Sequence, residues 1–385
     1  MANAVRPWMT PELTTLGERS ADLLSAQTAA HGERWRKQKY LDRGFWRAAG
    51  AQRLLCRSVP AEYGGGGGTL VEDLVVLSSL VDVGIAVPTV QVQSVIAPHF
   101  LVDHGSEEHK HRWLPEMAAG RVVGALAMTE AEAGSDARAL TTRAVREGDE
   151  YVITGAKTFI TNGSIADLVI VAALTDPAAG RDGISLFLVD TRDCAGFTVT
   201  RVIGKVGQHE ADLAELAFDG VRVPADCLLG AEGSGWGMLM RQLATERLVI
   251  AATATAAIER SVELTTRHVN ERIAFGRPLI ANQHIRIELA ECATEAAVAR
   301  AFLDSCVSRL LDGNLDDTTV AMAKWWLSDL EGRITDRCLQ LFGGYGYTTD
   351  YPIATLYTNA RAQRIYGGTN EIMKETVGRS LTARR

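Results

Sequence analysis

The chain has 385 residues, 46% hydrophobic and 23% charged, with a formal net charge of -7. That length exceeds one small core and implies two or three domains. The acidic balance removes the electrostatic reason to expect nucleic acid or an anionic membrane surface, and the terminal Arg384-Arg385 is too short to act as a basic tail.

The N-terminal stretch, Met1 to Ser20, lacks the basic-then-apolar profile of a signal peptide. No apolar run approaches the roughly 20 residues that span a bilayer, so a cytoplasmic protein is expected. Residues 11–30 and 40–56 carry Leu and Ala at helical spacing, and Val71 to Val81 is another apolar segment; together they predict a helical first third. Gly64 to Gly68 interrupts it. The run lacks the Lys-Ser/Thr ending of a phosphate-binding loop and reads as a flexible connector.

The texture changes near residue 125. Tyr151-Val-Ile-Thr, Thr158-Phe-Ile-Thr, Leu168-Val-Ile-Val, Ile184-Ser-Leu-Phe-Leu-Val and Phe197-Thr-Val-Thr are short β-branched or aromatic runs between Gly, Asn, Asp and Pro turns. Leu213 to Val223 adds one or two more. No long helical pattern intervenes, which predicts an antiparallel β-domain. From residue 233 helix returns: Ile285, Leu289, Cys292, Ala296, Ala299, Leu303, Val307 and Leu310 form one apolar stripe. Gly313 is placed to cap its C-terminus, and Asp316 or Asp317 to cap the next helix. Long amphipathic helices pack as a bundle. The expected fold is α+β: an N-terminal helical domain over 1–124, a middle antiparallel β-domain over 125–232, and a C-terminal four-helix-bundle domain over 233–385.

The six cysteines contain no C-x-x-C pair, and the eight histidines form no ligand pattern; His109 and His111 sit in a polar surface stretch. Free thiols in a reducing compartment and no metal are expected.

Five segments, in order, carry a resemblance over essentially the whole chain. They are Ala127-Met-Thr-Glu-Ala-Glu-Ala-Gly-Ser-Asp136, Gly155-Ala-Lys-Thr-Phe-Ile-Thr-Asn-Gly163, Arg272-Ile-Ala-Phe-Gly-Arg-Pro-Leu279 with Gln283, Gln340-Leu-Phe-Gly-Gly-Tyr-Gly346, and Ile365-Tyr-Gly-Gly-Thr-Asn-Glu-Ile372. The chain resembles the acyl-CoA dehydrogenase family, with Ala131 standing where that family often has Pro. Taken singly, Arg272 would read as a surface arginine, Phe159 as a core aromatic, and Thr129 and Thr161 as strand residues; the ordered set reverses that.

The resemblance implies FAD as cofactor. Turns rich in Gly, Ser and Thr bring backbone N–H groups and hydroxyls to the polar edge of such a ring. It implies that Met128, Thr129, Gly134 and Ser135, with Phe159, Ile160 and Thr161, line the isoalloxazine, and that Gly368, Thr369 and Glu371 lie beside it. It implies that Arg272, Phe275, Gln283, Gln340, Gly343 and Gly344 reach the adenosine-pyrophosphate portion, some from a neighbouring subunit of a homotetramer. An electron-transfer flavoprotein is the implied acceptor.

Dehydrogenating an acyl thioester requires loss of an α-proton to a base and of a β-hydride to the flavin. A carboxylate in an apolar pocket suits the first task, because desolvation raises its proton affinity. Many members of the family carry that Glu directly after the Tyr of Y-E-G-T, whereas this chain has Tyr366-Gly367-Gly368-Thr369. In the isovaleryl-type and long-chain-type branches the base comes from a bundle helix within E-R-L, and Glu246-Arg247-Leu248 is similar to that pattern. Glu246 is therefore the expected base, in preference to Glu130, Glu132 and Glu371. Without the family, Glu246 would read as a surface carboxylate paired with Arg241 or Arg247, a contact worth little. The resemblance further implies that the Gly367 backbone N–H joins a flavin ribityl hydroxyl in holding the thioester carbonyl, as an oxyanion hole does. Arg247 is expected to order the site, and Ser135 to touch the thioester arm.

The expected activity is FAD-dependent α,β-dehydrogenation of an acyl-CoA, within fatty acid metabolism. Two enzymatic alternatives share the architecture: a biosynthetic dehydrogenase of an acyl-carrier-protein thioester, and a flavin oxidase or monooxygenase, the last disfavoured by a Glu at 246. A flavin-free interaction protein that keeps the fold is the alternative of another class.

Overall fold

A computed structural model describes residues 6–382; Arg384-Arg385 and the first five residues of the N-terminal stretch lie outside it. Helix α1 (Pro11–Gln38) starts where the Thr10 side chain accepts the Leu13 N–H, and stops at Lys39 in the left-handed region. It outruns the expected 11–30 because its last turns still bury Gly32 and Trp35. Helix α2 (Arg43–Ala51) is shorter than the expected 40–56. Arg53 and Cys56 take positive φ, so Leu54 and Leu55 reach the core from a turn instead. Helix α3 (Leu70–Asp82) occupies the expected segment. Helix α4 (Val87–Gln91), a π-turn over Val92–Ile96, helix α5 (Ala97–His104) and helix α6 (Glu107–Ala118) follow.

The glycine run is a tight loop, not a flexible connector. The N–H groups of Gly64 to Gly68 each donate to a carbonyl of residues 56–61, at 2.9–3.3 Å. A Cβ on Gly65 would lie 2.2 Å from the Val59 carbonyl oxygen, and one on Gly66 2.4 Å from that of Arg57. With its amides spent on the chain itself, the loop has none to offer a phosphate.

The middle region is one eight-stranded sheet. Its strands are β1 (Gly124–Ala127), β2 (Arg143–Glu147), β3 (Glu150–Thr161), β4 (Leu168–Leu174), β5 (Ile184–Asp190), β6 (Phe197–Val202), β7 (Leu213–Pro224) and β8 (Leu228–Leu229). The order is β6-β7-β3-β2-β4-β5-β8, with β1 beside β4. The expected antiparallel pairing holds through most of the sheet, while β4 pairs in parallel with β1 and β2. Strand β4 is apolar throughout because both its faces are covered. Leu168, Ile170 and Ala172 face the helical core, while Val169, Val171 and Ala173 face a second core inside the sheet.

Helix α7 (Gly235–Glu271) opens the C-terminal region and spans roughly 55 Å. A hairpin, β9 (Ile273–Ala274) with β10 (Arg277–Pro278), leads to α8 (Gln283–Leu311), α9 (Asp317–Phe342), α10 (Pro352–Gln363) and α11 (Asn370–Leu381). Leu289, Cys292, Ala296, Ala299, Leu303 and Val307 of the expected stripe are buried. Gly313, at φ 69°, closes α8, and the Asp316 carboxylate accepts the Thr319 N–H to cap α9. Helices α7 to α10 make the expected four-helix bundle, α11 packs on α9 as a fifth, and α3 packs on α7. The N- and C-terminal helices and one sheet face therefore share a single core.

Because Gly65 has no room for a Cβ, Gly65→Ala is expected to destabilise the chain by about 1–3 kcal/mol through overpacking. A flexible glycine would instead give about 0.4–1 kcal/mol of stabilisation, so denaturant unfolding of this variant reads the sign directly.

Candidate active site

Two segments expected to line a flavin lie side by side, and a buried ion pair holds them. Strand β3 brings Lys157 inward with no exposed side-chain surface, and its Nζ donates to Glu130 Oε1 at 2.8 Å. The same Nζ donates to the Met128 carbonyl at 3.1 Å. Glu130 also accepts from the Thr141 and Thr142 N–H groups and from the Thr141 hydroxyl. Burial alone would raise this carboxyl; the Lys157 charge and these hydrogen bonds overcome it and hold it at about 2. Burial lowers Lys157 to about 8 against the pull of Glu130, so both partners are charged at neutral pH. Glu130 is thus committed to structure and is not a base.

Between Lys157 and Ile160 the β3–β7 register slips, which pushes Phe159 outward at φ 57° with 58% of its surface exposed. The Thr158 N–H donates to the Thr129 carbonyl at 2.9 Å, tying this bulge to the neighbouring loop. Ile160 points into the sheet core, so only its backbone can meet a ligand. Thr129 and Thr161 are half-buried, Gly134 and Ser135 are exposed, and a Cβ on Gly134 would meet nothing within 4 Å. An open groove edged by hydroxyls, small residues and one outward aromatic fits a large flat ring with a polar rim.

Asn162, buried at φ 63°, ends β3 and carries the groove to the helices. Its amide donates to the carbonyls of Thr89 and Gly124, and its oxygen accepts from the Thr89 hydroxyl. Thr89 lies on α4; two residues on, Gln91 donates to the Glu246 carbonyl on α7 at 3.4 Å. Glu246 thus stands across α4 from the groove. Its side chain keeps some access through the cleft, yet enough protein surrounds the carboxyl that desolvation raises its pKa, with Arg247 and Lys324 pulling the other way.

The turn after Tyr366 faces Glu246. Gly367 and Gly368 sit at φ 67° and 86°, which disfavours any residue with a Cβ. A Cβ on Gly367 would lie 3.5 Å from Glu246 Oε1 and 2.5 Å from Ile250 Cδ1. Arg247 Nε donates to the Gly367 carbonyl at 3.2 Å, and Lys324 Nζ to the Gly368 carbonyl at 2.7 Å. Two cations therefore hold consecutive carbonyls of one turn. Lys324, which also donates to Asn370 Oδ1 at 2.9 Å, is lowered to about 8 chiefly by burial. The Thr369 hydroxyl accepts the Ile372 N–H as the cap of α11, and Glu371 is exposed in the first turn.

The remaining expected cofactor residues gather elsewhere. Arg272 lies over the Tyr345 ring at 5.2 Å, beside the Gln340, Gly343 and Gly344 loop that ends α9. Phe275 tips the β9–β10 hairpin at φ 52°, fully exposed, and Gln283 opens α8. Arg272 follows Glu246 on α7 by roughly 39 Å of helix. The chain brings together Met128, Thr129 and Phe159 on one side of α4 and Glu246, Arg247 and Gly367 on the other, and sets Arg272, Phe275, Gln283, Gln340, Gly343 and Gly344 apart. Lys157, Asn162, Lys324 and Gln91 were not anticipated. Their signal was a polar residue at an inward position of an apolar pattern, as with Lys324 among Val320, Ala323 and Leu327.

Fold and site together set Glu246, a carboxylate raised by desolvation, across α4 from an exposed strip of hydroxyls, small residues and one outward aromatic. Family models for the N-terminal, middle and C-terminal domains of acyl-CoA dehydrogenase match residues 10–121, 125–221 and 233–382. The chain is 41% identical over 355 residues to the mitochondrial long-chain specific acyl-CoA dehydrogenase of Mus musculus, covering 92% of this chain and 82% of that one. It superposes on the acyl-CoA dehydrogenase of Geobacillus kaustophilus with a TM-score of 0.94 at 39% identity, covering 98% and 100%. A chain in the structure of the electron transferring flavoprotein of Acidaminococcus fermentans gives 0.92 at 33%, covering 98% and 99%. The chain belongs to the acyl-CoA dehydrogenase family.

Glu130→Gln leaves Lys157 buried and unpaired, which is expected to cost about 3–5 kcal/mol. Because the folded Glu130 carboxyl lies below its ordinary value near 4.5, the stability it supplies is complete above that value and is lost as pH falls towards 2. Denaturant unfolding of wild type and variant across this range checks both statements; equal stability throughout contradicts them.

Proposed function

We propose that the chain removes hydrogen across the α and β carbons of an acyl-CoA thioester with FAD, and that Glu246 takes the α-proton. The observation that carries this reading is the Glu246 carboxylate, desolvated and 3.5 Å from where a side chain at 367 would begin. Residues 128–135 and 159–161 would hold the isoalloxazine, with the 368–371 turn beside it. When bound, FAD supplies the acceptor for the β-hydride.

The chain's own part is proton chemistry and positioning. Glu246 Oε1 and Oε2 are the atoms available to receive the α-proton. Desolvation of the carboxylate, which raises its proton affinity, makes that transfer more favourable. As the proton leaves, charge grows on the thioester oxygen, and the Gly367 N–H is the backbone donor this chain offers it. Arg247 and Lys324, bonded to the next two carbonyls, keep that turn from relaxing. Their charges also lower the Glu246 carboxyl, opposing part of the rise that desolvation causes.

The distance between the two groups of cofactor residues supports a subunit arrangement. One FAD cannot bridge roughly 39 Å of α7, and a fully exposed Phe275 on a hairpin suits contact with a neighbour's cofactor. We therefore read the chain as a homotetramer in which Arg272, Phe275, Gln283 and the 340–344 loop serve the adjacent subunit. An electron-transfer flavoprotein is the proposed acceptor, supported by the Acidaminococcus likeness. The division at residues 124 and 232, a role in fatty acid metabolism and a cytoplasmic location belong to the same proposal. Among the described residues no helix is long and apolar enough to cross a membrane.

Glu246→Gln is expected to retain FAD and fold while slowing anaerobic flavin bleaching by an acyl-CoA roughly 10²- to 10⁴-fold; near-normal bleaching sinks the assignment. Since Glu246 must be ionised and its carboxyl is raised, kcat/KM should fall on the acid side through a limb above the ordinary carboxylate range. Lys324→Met removes a cation that lowers that carboxyl and moves the limb to higher pH. An unmoved or downward-shifted limb contradicts this electrostatic role.

A further inference from the structure

The turn that carries Gly367 is a closed loop. Its last residue, Asn370, donates its backbone N–H to the Arg364 carbonyl at 3.0 Å. Inside the loop, Gly367 and Gly368 are both left-handed, and glycine has more backbone freedom to lose than any other residue. The N–H groups of Gly367, Gly368 and Thr369 have no acceptor among the described residues. The bond that closes the loop therefore does not aim the Gly367 N–H.

Both ends of the loop are fastened to one face of α9. Lys324, Ser328 and Gly332 recur on it one helical turn apart, with Trp325 and Asp329 beside them. Asn370 is buried, at 3% exposure. Its Nδ2 donates to the Trp325 carbonyl at 3.2 Å and to Asp329 Oδ1 at 3.0 Å, and its Oδ1 accepts from Lys324 Nζ at 2.9 Å. Lys324 can only donate and the Trp325 carbonyl can only accept, so the amide has one orientation.

At the other end, the Arg364 guanidinium donates to the Ser328 and Asp329 carbonyls, each at 3.4 Å. Its Nε lies 3.6 Å from Asp329 Oδ1, so one carboxylate meets both ends of the loop. The guanidinium rests on Gly332, where a Cβ would stand 1.6 Å from Arg364 Nη2. A glycine within α9 thus makes room for it.

We propose that Asn370 and Arg364 are positioning residues of the reaction: by fastening both ends of the 364–370 loop to α9, they aim the Gly367 N–H at the thioester carbonyl. This rests on the dehydrogenase reading above. Both residues act through the loop, as a supporting shell acts on a catalytic group. Glu246 comes from α7, so the base and the oxyanion donor are placed by different helices.

Two variants release one end each. Asn370→Ala removes the amide, and Gly332→Ala puts a methyl where the Arg364 guanidinium lies while favouring the helix it sits in. Each is expected to lower kcat and kcat/KM for flavin bleaching together, by about 10- to 100-fold, with KM changed by less than about threefold. A bound enoyl-CoA conjugated to an aryl ring absorbs at longer wavelength as its carbonyl is polarised. On the FAD-loaded enzyme that shift should shrink in both variants, although Gly332→Ala unfolds at no lower denaturant concentration than wild type. An unchanged shift and kcat in either variant overturn the role of the end it releases. If Asn370→Ala does not keep flavin, Asn370→Asp, which retains the acceptor for Lys324 and loses the donors, reads the same shift. Activity that falls only in step with lost flavin or fold overturns the positioning role in favour of a structural one. A wild-type enzyme that bleaches but does not shift the probe overturns this proposal alone, and one that no acyl thioester bleaches overturns the dehydrogenase reading as well.

Discussion

Between α7 and the turn after Tyr366 there is space for one carboxylate side chain. Glu246 fills it: a Cβ at 367 would meet Ile250 Cδ1 at 2.5 Å and stand 3.5 Å from Glu246 Oε1. Two carboxylates there would share one site, and like charges so close cannot both ionise. The left-handed backbone at Gly367 and Gly368 adds to that crowding in disfavouring a side chain in the turn. The turn in turn presents its carbonyls to Arg247 and Lys324, and its last residues start α11. The position of Glu246, the glycine pair and the two cations form one arrangement.

Buried charge is used in two ways in this chain. Glu130 and Lys157 neutralise each other, and their pairing locks the 128–130 loop to the 157–161 bulge, so the groove is rigid before anything enters it. Glu246 is different: its nearest cations are committed to backbone carbonyls and offset its desolvation only in part, leaving the carboxyl raised. A carboxylate fully paired, as Glu130 is, would be too weak a base. One left with no cation would be raised further by desolvation.

Much of this was legible in the sequence, for identifiable reasons. The α8 stripe, its Gly313 and Asp316 caps, and strands β4 and β5 were readable because periodicity and burial agree there. Two runs expected as separate strands are the single β3, since Gly155 and Phe159 mark bulges and not ends. Strands β1 and β2 carry no strand signature: β1 is only four residues, three of them Gly or Ala, and in β2 only Ala144 is buried, so neither alternates. The glycine run looked flexible by composition, while its hydrogen bonds depend on carbonyls that only the fold brings near. The partners of Lys157 and Lys324, a distant carboxylate and a carbonyl across a bundle, are set by the fold and not by any local pattern. Nor does linear order reveal that Arg272 and Glu246, on one helix, stand too far apart to share a ligand.

We propose that Glu246, and no other group of this chain, removes the α-proton. Proton removal can be isolated from hydride transfer with an acyl-CoA whose β-carbon is replaced by a heteroatom, so that no β-hydride can leave. Incubated in deuterated water with the FAD-loaded enzyme, such a thioester should gain deuterium at Cα, followed by NMR, and should stop doing so in Glu246→Gln. Exchange that continues at the wild-type rate in that variant would contradict the assignment.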